Sequence, residues 1–533
     1  MVKPKLLSRF HKKTAKLLLN PDHIDCLLSA KHGLERESLR VDSKGQISKK
    51  NHPKALGSAL THPLIKTDFA EPQIEYATEA LKTIPDTLRE LTELHAFTLR
   101  KLEKETLWPF SMPSPLPKDS EIPLGIYGTS KEGRKKNIYR RGLGYRYGRK
   151  MQTISGVHYN LSFDKCLLGK LSEIRYKKPL GKETQSQIYF DTIRNFNRLS
   201  PALLYLFGAS SLIDESFTKP GKEFKKLDKK TYNAPYATTL RLSNVGYTSE
   251  VQAKLPISVN SLKDYVTDMC VAVSKPYPGY KKHSVKPENQ LNDHYLQIEN
   301  EFYSLVRPKQ VPHGDERVLD ALMERGVEYL EIRLLDLDPF SPIGVEENRL
   351  YFIHLLLLYC LLSDSPPADK KEIRIWRANQ EKTTWLGRKP NTSVQFLGET
   401  WNLHEFIYQL LTELQPLADL LDKNDNENGP YSKAWEVQWE KWNDSSLLSS
   451  SVSELDLKIN GMSFHEFGLK LSKSHSQFLR EYPLTREKIE YFEAMAKESL
   501  EEQKHIEDGE GSHLKRNQKP IQLKPLNICS VGL

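Results

Sequence analysis

Apolar residues recur with two different periods along the chain, and each period marks a different kind of element. The segments that alternate between apolar and polar side chains, which predicts β-strands, are 34–41, 73–78, 154–163 and 327–337. The segments with apolar side chains at helical spacing, which predicts α-helices, are 84–107, 185–206, 402–422 and 484–504. The two patterns do not alternate strictly, and we see no internal repeat. This order favours an α+β fold over a doubly wound parallel sheet.

The alternating segments place acidic side chains where an ordinary half-buried strand has apolar ones. In "GLERESLRV", residues 33–41, Glu35 and Glu37 share one face of the predicted strand and lie only about 7 Å apart. Like charges at that distance repel unless something positive lies between them. The polar residues of the other acidic segments are Asp68, Glu71, Glu75, His158, Asn160, Glu299, Glu301, Glu331 and Arg333.

The acidic faces predict a shared metal site rather than separate surface charges. Mg²⁺ takes hard oxygen ligands, usually a few carboxylates together with water and substrate phosphates. Several acids from different strands with one arginine nearby fit phosphoryl transfer. A surface salt bridge is the ordinary explanation of any single acid, and a hydrogen-bonded interior histidine is that of His158. We therefore predict, from the set as a whole, a water-filled funnel that holds magnesium.

Composition changes this interpretation little. The chain has 533 residues, a net charge of +9 and 38% hydrophobic residues, enough for a sizeable core. The positive charge suits nucleic acid, an anionic membrane surface or a polyanionic substrate such as ATP, and it does not decide among them. The longest apolar run, at 351–362, is too short to span a bilayer and predicts a buried helix. The five scattered cysteines, without metal-binding spacing, predict a reducing, cytoplasmic setting.

Two glycine-containing segments resemble phosphate-binding motifs and fail as such. "GTSKEGRK" at 128–135 lacks the Lys–Ser/Thr pair of a P-loop, and "GLGYRYG" at 142–148 departs from GxGxxG. No HExxH or GxSxG motif occurs. The surrounding segment 131–150 is strongly basic with interleaved tyrosines. It fits a nucleic-acid surface, a loop over a polyanionic active site, or a solvated face.

The composition shifts along the chain predict four regions. A basic helical segment at 1–32 has too little apolar character for a secretory signal, and a docked helix is favoured over a targeting peptide. The region 33–400 contains the acidic faces and is expected to form the catalytic core, and a helical part of the same domain spans 401–506. The polar, Gly- and Pro-punctuated end, 507–533, predicts a disordered tail.

Several segments together resemble bacterial glutamate–cysteine ligases of the proteobacterial type. They are "GLERESLRV", "GSALTHPLIKTDFAEPQIEYAT", "WPFSMP", "YGRKMQTISGVHYN", "YLFGAS", "PYATTLRLSNVGYT", "LQIENEFYSLVRPK" and "EYLEIRLLDLDPFSPIGV". The likeness is dense from about 33 to 345, continues in "GRKP" at 387–390, and is weak in the first 20 residues, around 212–232 and beyond 390. It implies a glutamine synthetase-like fold, in which an antiparallel sheet curls into a funnel surrounded by helices.

The resemblance also implies an activity and a set of site residues. The family joins glutamate to cysteine with ATP and Mg²⁺, with Mn²⁺ as an alternative metal, in the first step of glutathione biosynthesis. By position, the implied metal ligands are Glu35, Glu37, Asp68, Glu75, His158 and Glu331. Arg333 is expected to contact the transferred phosphate. The residues expected to contact the amino-acid substrates are Tyr139, Gln152, Arg241, Tyr247 and Tyr303.

Two alternatives remain open from the sequence. The first is a related carboxylate–amine ligase with another acceptor amine. The second is a nucleic-acid-binding protein that uses the basic segment 131–150, although the acidic faces would repel phosphate unless metals intervened. We expect a cytoplasmic monomer whose partners are small molecules, with no nucleic acid and no membrane among them.

Overall fold

One antiparallel sheet contains all four strands that the alternating pattern predicts. The computed structural model describes residues 24–423 and 429–514 and, separately, Thr14, Leu526 and Cys529. The strands are β1 (Ala30–Val41), β2 (Ile65–Thr67), β3 (Gln73–Ala77), β4 (Thr106–Leu107), β5 (Gly156–Phe163), β6 (Leu212–Asp214), β7 (Lys225–Lys226), β8 (Thr231–Asn233), β9 (Val306–Lys309), β10 (Tyr329–Asp336), β11 (Ser393–Phe396) and β12 (Glu399–Asn402). The main sheet has the order β2-β3-β1-β5-β10-β9, and β4 pairs with the end of β1.

Helices make up most of the rest of the described chain. They are α1 (Ile24–Leu28), α2 (Ile84–Lys101), α3 (Lys131–Tyr147), α4 (Arg149–Gln152), α5 (Lys165–Tyr176), α6 (Lys182–Phe207), α7 (Glu250–Ala253), α8 (Leu262–Ser274), α9 (Pro278–Lys281), α10 (Val318–Arg325), α11 (Glu347–Leu362), α12 (Lys370–Leu386), α13 (Leu403–Leu421), α14 (Pro430–Asn443), α15 (Ser449–Asn460), α16 (Phe464–Glu481) and α17 (Arg486–Leu514). Helices beside an antiparallel sheet confirm the predicted α+β class.

The main core lies behind the sheet, on the face opposite the acids. Tyr159 and Leu161 of β5 and Ile332 of β10 are fully buried there. Helix α6 packs against β9 and β10, and α11 packs against α6. Every residue of α11 from Phe352 to Leu362 is buried, which confirms the buried helix predicted at 351–362. No helix within the described ranges is long and apolar enough to cross a bilayer.

The cysteines differ from the sequence-based expectation. Cys26 is bonded to Cys166, and Cys270 is bonded to Cys529. The partners are 140 and 259 residues apart in the sequence, so only the fold could bring them together. Cys360 is the one free cysteine described, and it is buried. The cysteines therefore give no support to a reducing compartment, and the cytoplasmic location stays a prediction.

Several predicted boundaries also move. The first strand begins at Ala30, three residues before the expected start of the core at 33. The helix predicted over 84–107 ends at Lys101, because Thr106–Leu107 pairs with the end of β1. Helix α17 continues to Leu514, so the boundary at 506 falls inside a helix.

The structure describes only part of the first and last predicted regions, 1–32 and 507–533. Leu526 is buried in the main core and Cys529 is bonded to Cys270, so these two residues of 507–533 are anchored rather than detached. Most of the remaining predicted tail lies outside the described residues. The same holds for most of the basic segment 1–32.

Candidate active site

The pairing register of β1 brings the predicted acids into two groups. Glu37 lies opposite Glu75 on β3, and Glu35 lies opposite His158 on β5. Glu331 comes from β10, the strand on the other side of β5. Possible ligand atoms lie within 4.8 Å of one another in each group. We call Glu37, Asp68 and Glu75 the triacid group, and Glu35, His158 and Glu331 the histidine group.

The triacid group holds negative charge that its surroundings do not fully neutralise. Glu37 Oε2 accepts a hydrogen bond from the backbone N–H of Gly156 at 3.0 Å. Burial raises the pKa of Glu37 well above its ordinary value, and the carboxylates of Asp68 and Glu75 raise it further. Burial and the neighbouring carboxylates of Asp68 and Glu35 likewise raise the pKa of Glu75 to about 7. A donor set of carboxylate oxygens alone fits Mg²⁺, which would remove this repulsion.

The histidine group contains a neutral imidazole. His158 Nδ1 lies 3.0 Å from Glu35 Oε2, and Asn160 Nδ2 donates to Glu35 Oε1 at 2.9 Å. Burial and the charge of Arg333 lower the pKa of His158 to about 4. The ring is therefore uncharged at pH 7 and can offer a nitrogen lone pair to a metal.

Glu331 differs from the other acids because cations surround it. Arg333 Nη1 donates to Glu331 Oε1 at 3.0 Å, and Arg307 and Lys309 of β9 each come within 3.7 Å of the carboxylate. Burial alone would raise the pKa of Glu331, but Lys309, Arg333 and Arg307 hold it well below its ordinary value. The negative charge of Glu331 in the histidine group is therefore already neutralised by protein cations, whereas that of the triacid group is not.

A cavity of about 340 Å³ opens beside Arg333. Arg241, Tyr247 and Tyr303 line it together with Arg333. Both Nη atoms of Arg241 donate to the backbone carbonyl of Arg333 at 3.0 Å. A Cβ at Gly156 would lie 2.2 Å from Arg241 Nη2, so the guanidinium requires glycine at that position of β5.

The remaining predicted substrate residues, Gln152 and Tyr139, are not among the residues that line this cavity. Gln152 Nε2 donates to the hydroxyl of Tyr303 at 2.8 Å. The rings of Tyr247 and Tyr303 meet edge to face, with centroids 5.2 Å apart. Gln152 therefore orients a lining residue and does not itself line the cavity. Tyr139 is held on α3, where its backbone carbonyl accepts a hydrogen bond from Gln297.

A second and larger cavity, about 830 Å³, lies toward the other end of β1 and β5. Glu35 and Asn160 form part of its wall, so it reaches the histidine group. Its lining includes apolar surface from Ala80 and Val311, and basic side chains. The basic residues are Lys31, Lys82 and Lys165.

The basic segment 131–150 forms helix α3 and the start of the short helix α4, and two of its arginines point inward. Arg146 Nη1 pairs with Glu301 at 2.9 Å, and both side chains are fully buried. Arg140 Nε donates to the backbone carbonyl of Asp68, a member of the triacid group. Of the three interpretations left open by the sequence, the structure supports a cover over the acidic site.

Three acids that look similar in the sequence lie outside both groups. Glu71 accepts hydrogen bonds from the backbone N–H groups of His52 and Ile126. Glu299 pairs with Arg317 at 2.5 Å, and Glu301 pairs with Arg146. These carboxylates are structural, because each already has donors that satisfy it.

Sequence reasoning missed the cations of β9. Arg307 and Lys309 lie in the family-like segment "LQIENEFYSLVRPK", and the sequence alone assigns them no role. Their spacing of two residues puts both on one face of a strand, which was the available signal. Their direction toward Glu331 follows from the pairing of β9 with β10, in which Glu331 lies opposite Arg307.

The fold and the site together define an ATP-dependent carbon–nitrogen ligase. A family model described as glutamate-cysteine ligase matches residues 15–383. The chain belongs to the glutamate–cysteine ligase family. The family resemblance, the fold class and the enzyme class predicted from the sequence are thereby confirmed.

Individual relatives extend over nearly the whole chain. The chain is 46% identical over 469 residues to glutamate–cysteine ligase of Leptospira interrogans, covering 87% of this chain and 90% of that protein. It is 39% identical over 508 residues to the Pseudomonas fluorescens enzyme of the same name, covering 95% of each. Glutamate–cysteine ligase of Francisella tularensis, solved in complex with AMP, superposes with a TM-score of 0.85 at 33% identity, covering 92% of this chain and 96% of that chain.

Proposed function

We propose that the protein joins the γ-carboxylate of L-glutamate to the amine of L-cysteine through a γ-glutamyl phosphate intermediate. The γ-carboxylate attacks the γ-phosphorus of ATP and releases ADP. The cysteine amine then attacks the carbonyl carbon of the acyl phosphate, loses a proton, and phosphate leaves. The observation that carries this proposal is the position of Arg333, at the histidine group and on the wall of the smaller cavity.

The two cavities suit two different substrates. The larger cavity combines apolar surface, three lysines and the edge of the histidine group, a combination that suits a nucleotide and its phosphates. The smaller cavity offers guanidinium groups and tyrosines, which suits amino acids. Phosphoryl transfer then takes place where the nucleotide phosphates and the glutamate carboxylate meet, near Arg333. The AMP bound to the Francisella enzyme supports nucleotide binding in this fold.

The donor chemistry of both acidic groups fits Mg²⁺, with Mn²⁺ as the alternative. The triacid group would hold one ion through carboxylates, and the histidine group would hold another through two carboxylates and the neutral His158. Bound there, divalent cations supply neutralisation of phosphate charge during transfer. Arg333 supplies a rigid fork of donors for the transferred group. Tyr247, Tyr303 and Arg241 shape the amino-acid cavity, and Gln152 orients Tyr303. Tyr139 stays a predicted substrate contact.

The two groups should differ in how they bind metal. The three carboxylates of the triacid group repel one another, so a cation is expected to bind there without the nucleotide. In the histidine group, Lys309, Arg307 and Arg333 already neutralise Glu331, and an added cation meets repulsion. The polyanionic phosphates of ATP relieve that repulsion. We therefore expect one metal to bind alone and another to bind together with the nucleotide.

The variant Glu35→Gln tests this assignment of the histidine group. It keeps the shape of the side chain and removes the anionic ligand. We expect the Mn²⁺ that binds only with a non-hydrolysable ATP analogue to bind at least about 10-fold more weakly, while nucleotide-independent Mn²⁺ is retained. Turnover should fall steeply and recover in part at higher Mg²⁺. Electron paramagnetic resonance of bound Mn²⁺ measures both classes.

A surface variant provides the matched control. Glu316 pairs with Arg325 away from both groups, and Glu316→Gln should leave both classes of Mn²⁺ unchanged. Equal loss of both classes in Glu35→Gln would contradict two separate groups. Unfolding of Glu35→Gln without any dependence on metal would show that Glu35 is a structural partner of His158.

The alternative most similar to this proposal is a related ligase that uses an acceptor amine other than cysteine. Apolar contacts separate amines of similar size by only about 1–3 kcal/mol, so other small amino acids are expected as poor substrates. The inward direction of Arg140 and Arg146 in α3 gives no support to nucleic-acid binding. A cytoplasmic location now rests on the use of ATP rather than on the cysteines, and a monomeric state stays a prediction.

A further inference from the structure

Helix α12 places one basic and one acidic side chain on the wall of the smaller cavity. Arg377 and Glu381 lie four residues apart, one turn of helix, and both line the cavity that Arg241 and Arg333 also line. Neither residue belongs to the strands that carry the acidic groups. Both side chains are partly buried.

Arg377 is a cation with no anionic partner among the described residues. Its Nη2 donates to the backbone carbonyl of Leu255 at 2.8 Å, and its Nη1 donates to the carbonyl of Ala253. No carboxylate in the described part of the chain forms an ion pair with it, and burial lowers its pKa. A guanidinium has five donors, so those not used on the two carbonyls are available to a ligand.

Glu381 is an anion with no cationic partner in the described part of the chain. The backbone N–H of Asn244 donates to its carboxylate, and the indole N–H of the nearby Trp385 donates to Asn244 Oδ1 at 3.0 Å. Burial nevertheless raises the pKa of Glu381, and no cation among the described residues comes close enough to lower it. Arg377 does not pair with Glu381, although residues at this spacing on a helix often do.

A positive and a negative group that face one cavity and leave each other unpaired complement a zwitterion. The α-carboxylate and α-ammonium of an amino acid are such a ligand, and each would provide the opposite charge that one of these side chains lacks. Partly buried charges without partners are costly, so binding such a ligand would offset a cost that the empty cavity bears.

The two amino-acid substrates differ in which groups they can present. The amine of the acceptor is the nucleophile, and it must be free to reach the acyl phosphate near Arg333. An acceptor whose amine were held by Glu381 could not react. The donor reacts through its γ-carboxylate, which two methylene groups separate from its α-carbon. Only the donor can present both of its α-groups to α12 while its reacting carboxylate points to Arg333.

We propose that Arg377 binds the α-carboxylate and Glu381 the α-ammonium of the donor glutamate, and that this pair selects an α-amino acid as donor. This inference rests on the proposed function, since it presupposes transfer to a γ-carboxylate near Arg333. In this inference, helix α12 recognises the α-carboxylate and α-ammonium of glutamate, the end of the substrate that does not react. This helix lies outside the acidic sheet.

Donor analogues that lack one α-group separate the two roles. Glutarate lacks the amine, and 4-aminobutyrate lacks the α-carboxylate. We expect Glu381→Gln to lower kcat/KM about 10- to 100-fold for glutamate and 4-aminobutyrate and to leave glutarate unchanged. We expect Arg377→Gln to lower it about as much for glutamate and glutarate and to leave 4-aminobutyrate unchanged. Where turnover of an analogue is below detection, its competitive inhibition constant against glutamate replaces kcat/KM.

Two further variants guard against a purely structural explanation. Arg374 is exposed on the same helix, and Arg374→Gln should leave all three donors unchanged. Arg377→Lys keeps a charge while losing the fork of donors, so it should retain part of the selectivity even if Arg377→Gln folds poorly. The KM values for cysteine and ATP should stay within about twofold of wild type in each α12 variant.

The outcomes distinguish this inference from the proposed function. Equal losses on all three donors in both variants would show that Arg377 and Glu381 only hold α12 in place, and would overturn the inference. A loss confined to the KM for cysteine would assign the pair to the acceptor and would overturn it as well. If wild-type protein formed no γ-glutamylcysteine from glutamate, cysteine and ATP, the proposed function itself would fail.

Discussion

Turnover is expected to fall by at least about 10²–10³-fold when Arg333 is replaced by alanine, because the transferred phosphoryl group loses a fixed donor. Arg333 is held on both sides: its Nη1 donates to Glu331, and its carbonyl accepts two hydrogen bonds from Arg241. This rigidity allows the guanidinium to meet the transition state without reorganisation. Arg333→Lys keeps the charge without the planar fork, so its loss should be smaller.

Steady-state kinetics and thermal melts separate this role from a structural one. The apparent affinity for cysteine should barely change, because the amine arrives after phosphorylation. Removing one partner of a buried ion pair can itself destabilise a protein strongly. A low melting temperature with normal activity in the remaining folded fraction would therefore assign Arg333 to the fold. Arg325→Ala, which breaks an ion pair elsewhere, is the matched control and should leave turnover unchanged.

A second large effect is expected for Glu75→Gln, which should abolish most activity and yet stabilise the metal-free protein. Glu75 has a pKa of about 7 in the folded chain, raised by burial and by Asp68 and Glu35. Between pH 4.5 and that value, the folded state binds more protons at Glu75 than the unfolded state does, so stability falls as pH rises. Glutamine carries no charge, so the variant avoids this cost, which is about 3 kcal/mol above pH 7.

Melting curves in EDTA and in Mg²⁺ measure this effect. In EDTA, the advantage of Glu75→Gln should appear as pH rises above about 4.5 and level off above about 7. In Mg²⁺, wild type should gain more stability than the variant, since it retains all three carboxylates of the triacid group. Glu79→Gln, at an exposed position four residues on, should change neither curve. A variant that is less stable than wild type in EDTA would contradict charge repulsion in this group.

The alternation of side chains along β1, β5 and β10 was enough to predict which residues share a face. It was not enough to predict the pairing register between neighbouring strands, because a shift of one strand relative to the next would bring different acids together. Glu299 and Glu301 show the limit most clearly, because they resemble Glu35 and Glu37 in the sequence and yet form buried ion pairs with arginines. Whether an acid is neutralised depends on partners that are distant in the chain.

Long-range contacts account for most of what the sequence could not predict. The bonds of Cys26 with Cys166 and of Cys270 with Cys529 join segments with no local signal for pairing. Arg377 and Glu381 form an ordinary i, i+4 charge pair in the sequence, which usually indicates a solvated helix face. Only the placement of α12 against the cavity reveals that the two side chains remain unpaired.

The fate of one oxygen atom tests the central claim most directly. Glutamate labelled with ¹⁸O in its γ-carboxylate is supplied with cysteine, ATP and Mg²⁺, and the released phosphate is analysed by mass spectrometry. If the γ-carboxylate attacks the γ-phosphorus, one labelled oxygen becomes the bridge of the acyl phosphate and leaves with phosphate, so each phosphate should carry one ¹⁸O. Unlabelled phosphate, or the appearance of AMP and pyrophosphate in place of ADP and phosphate, would contradict the acyl phosphate route.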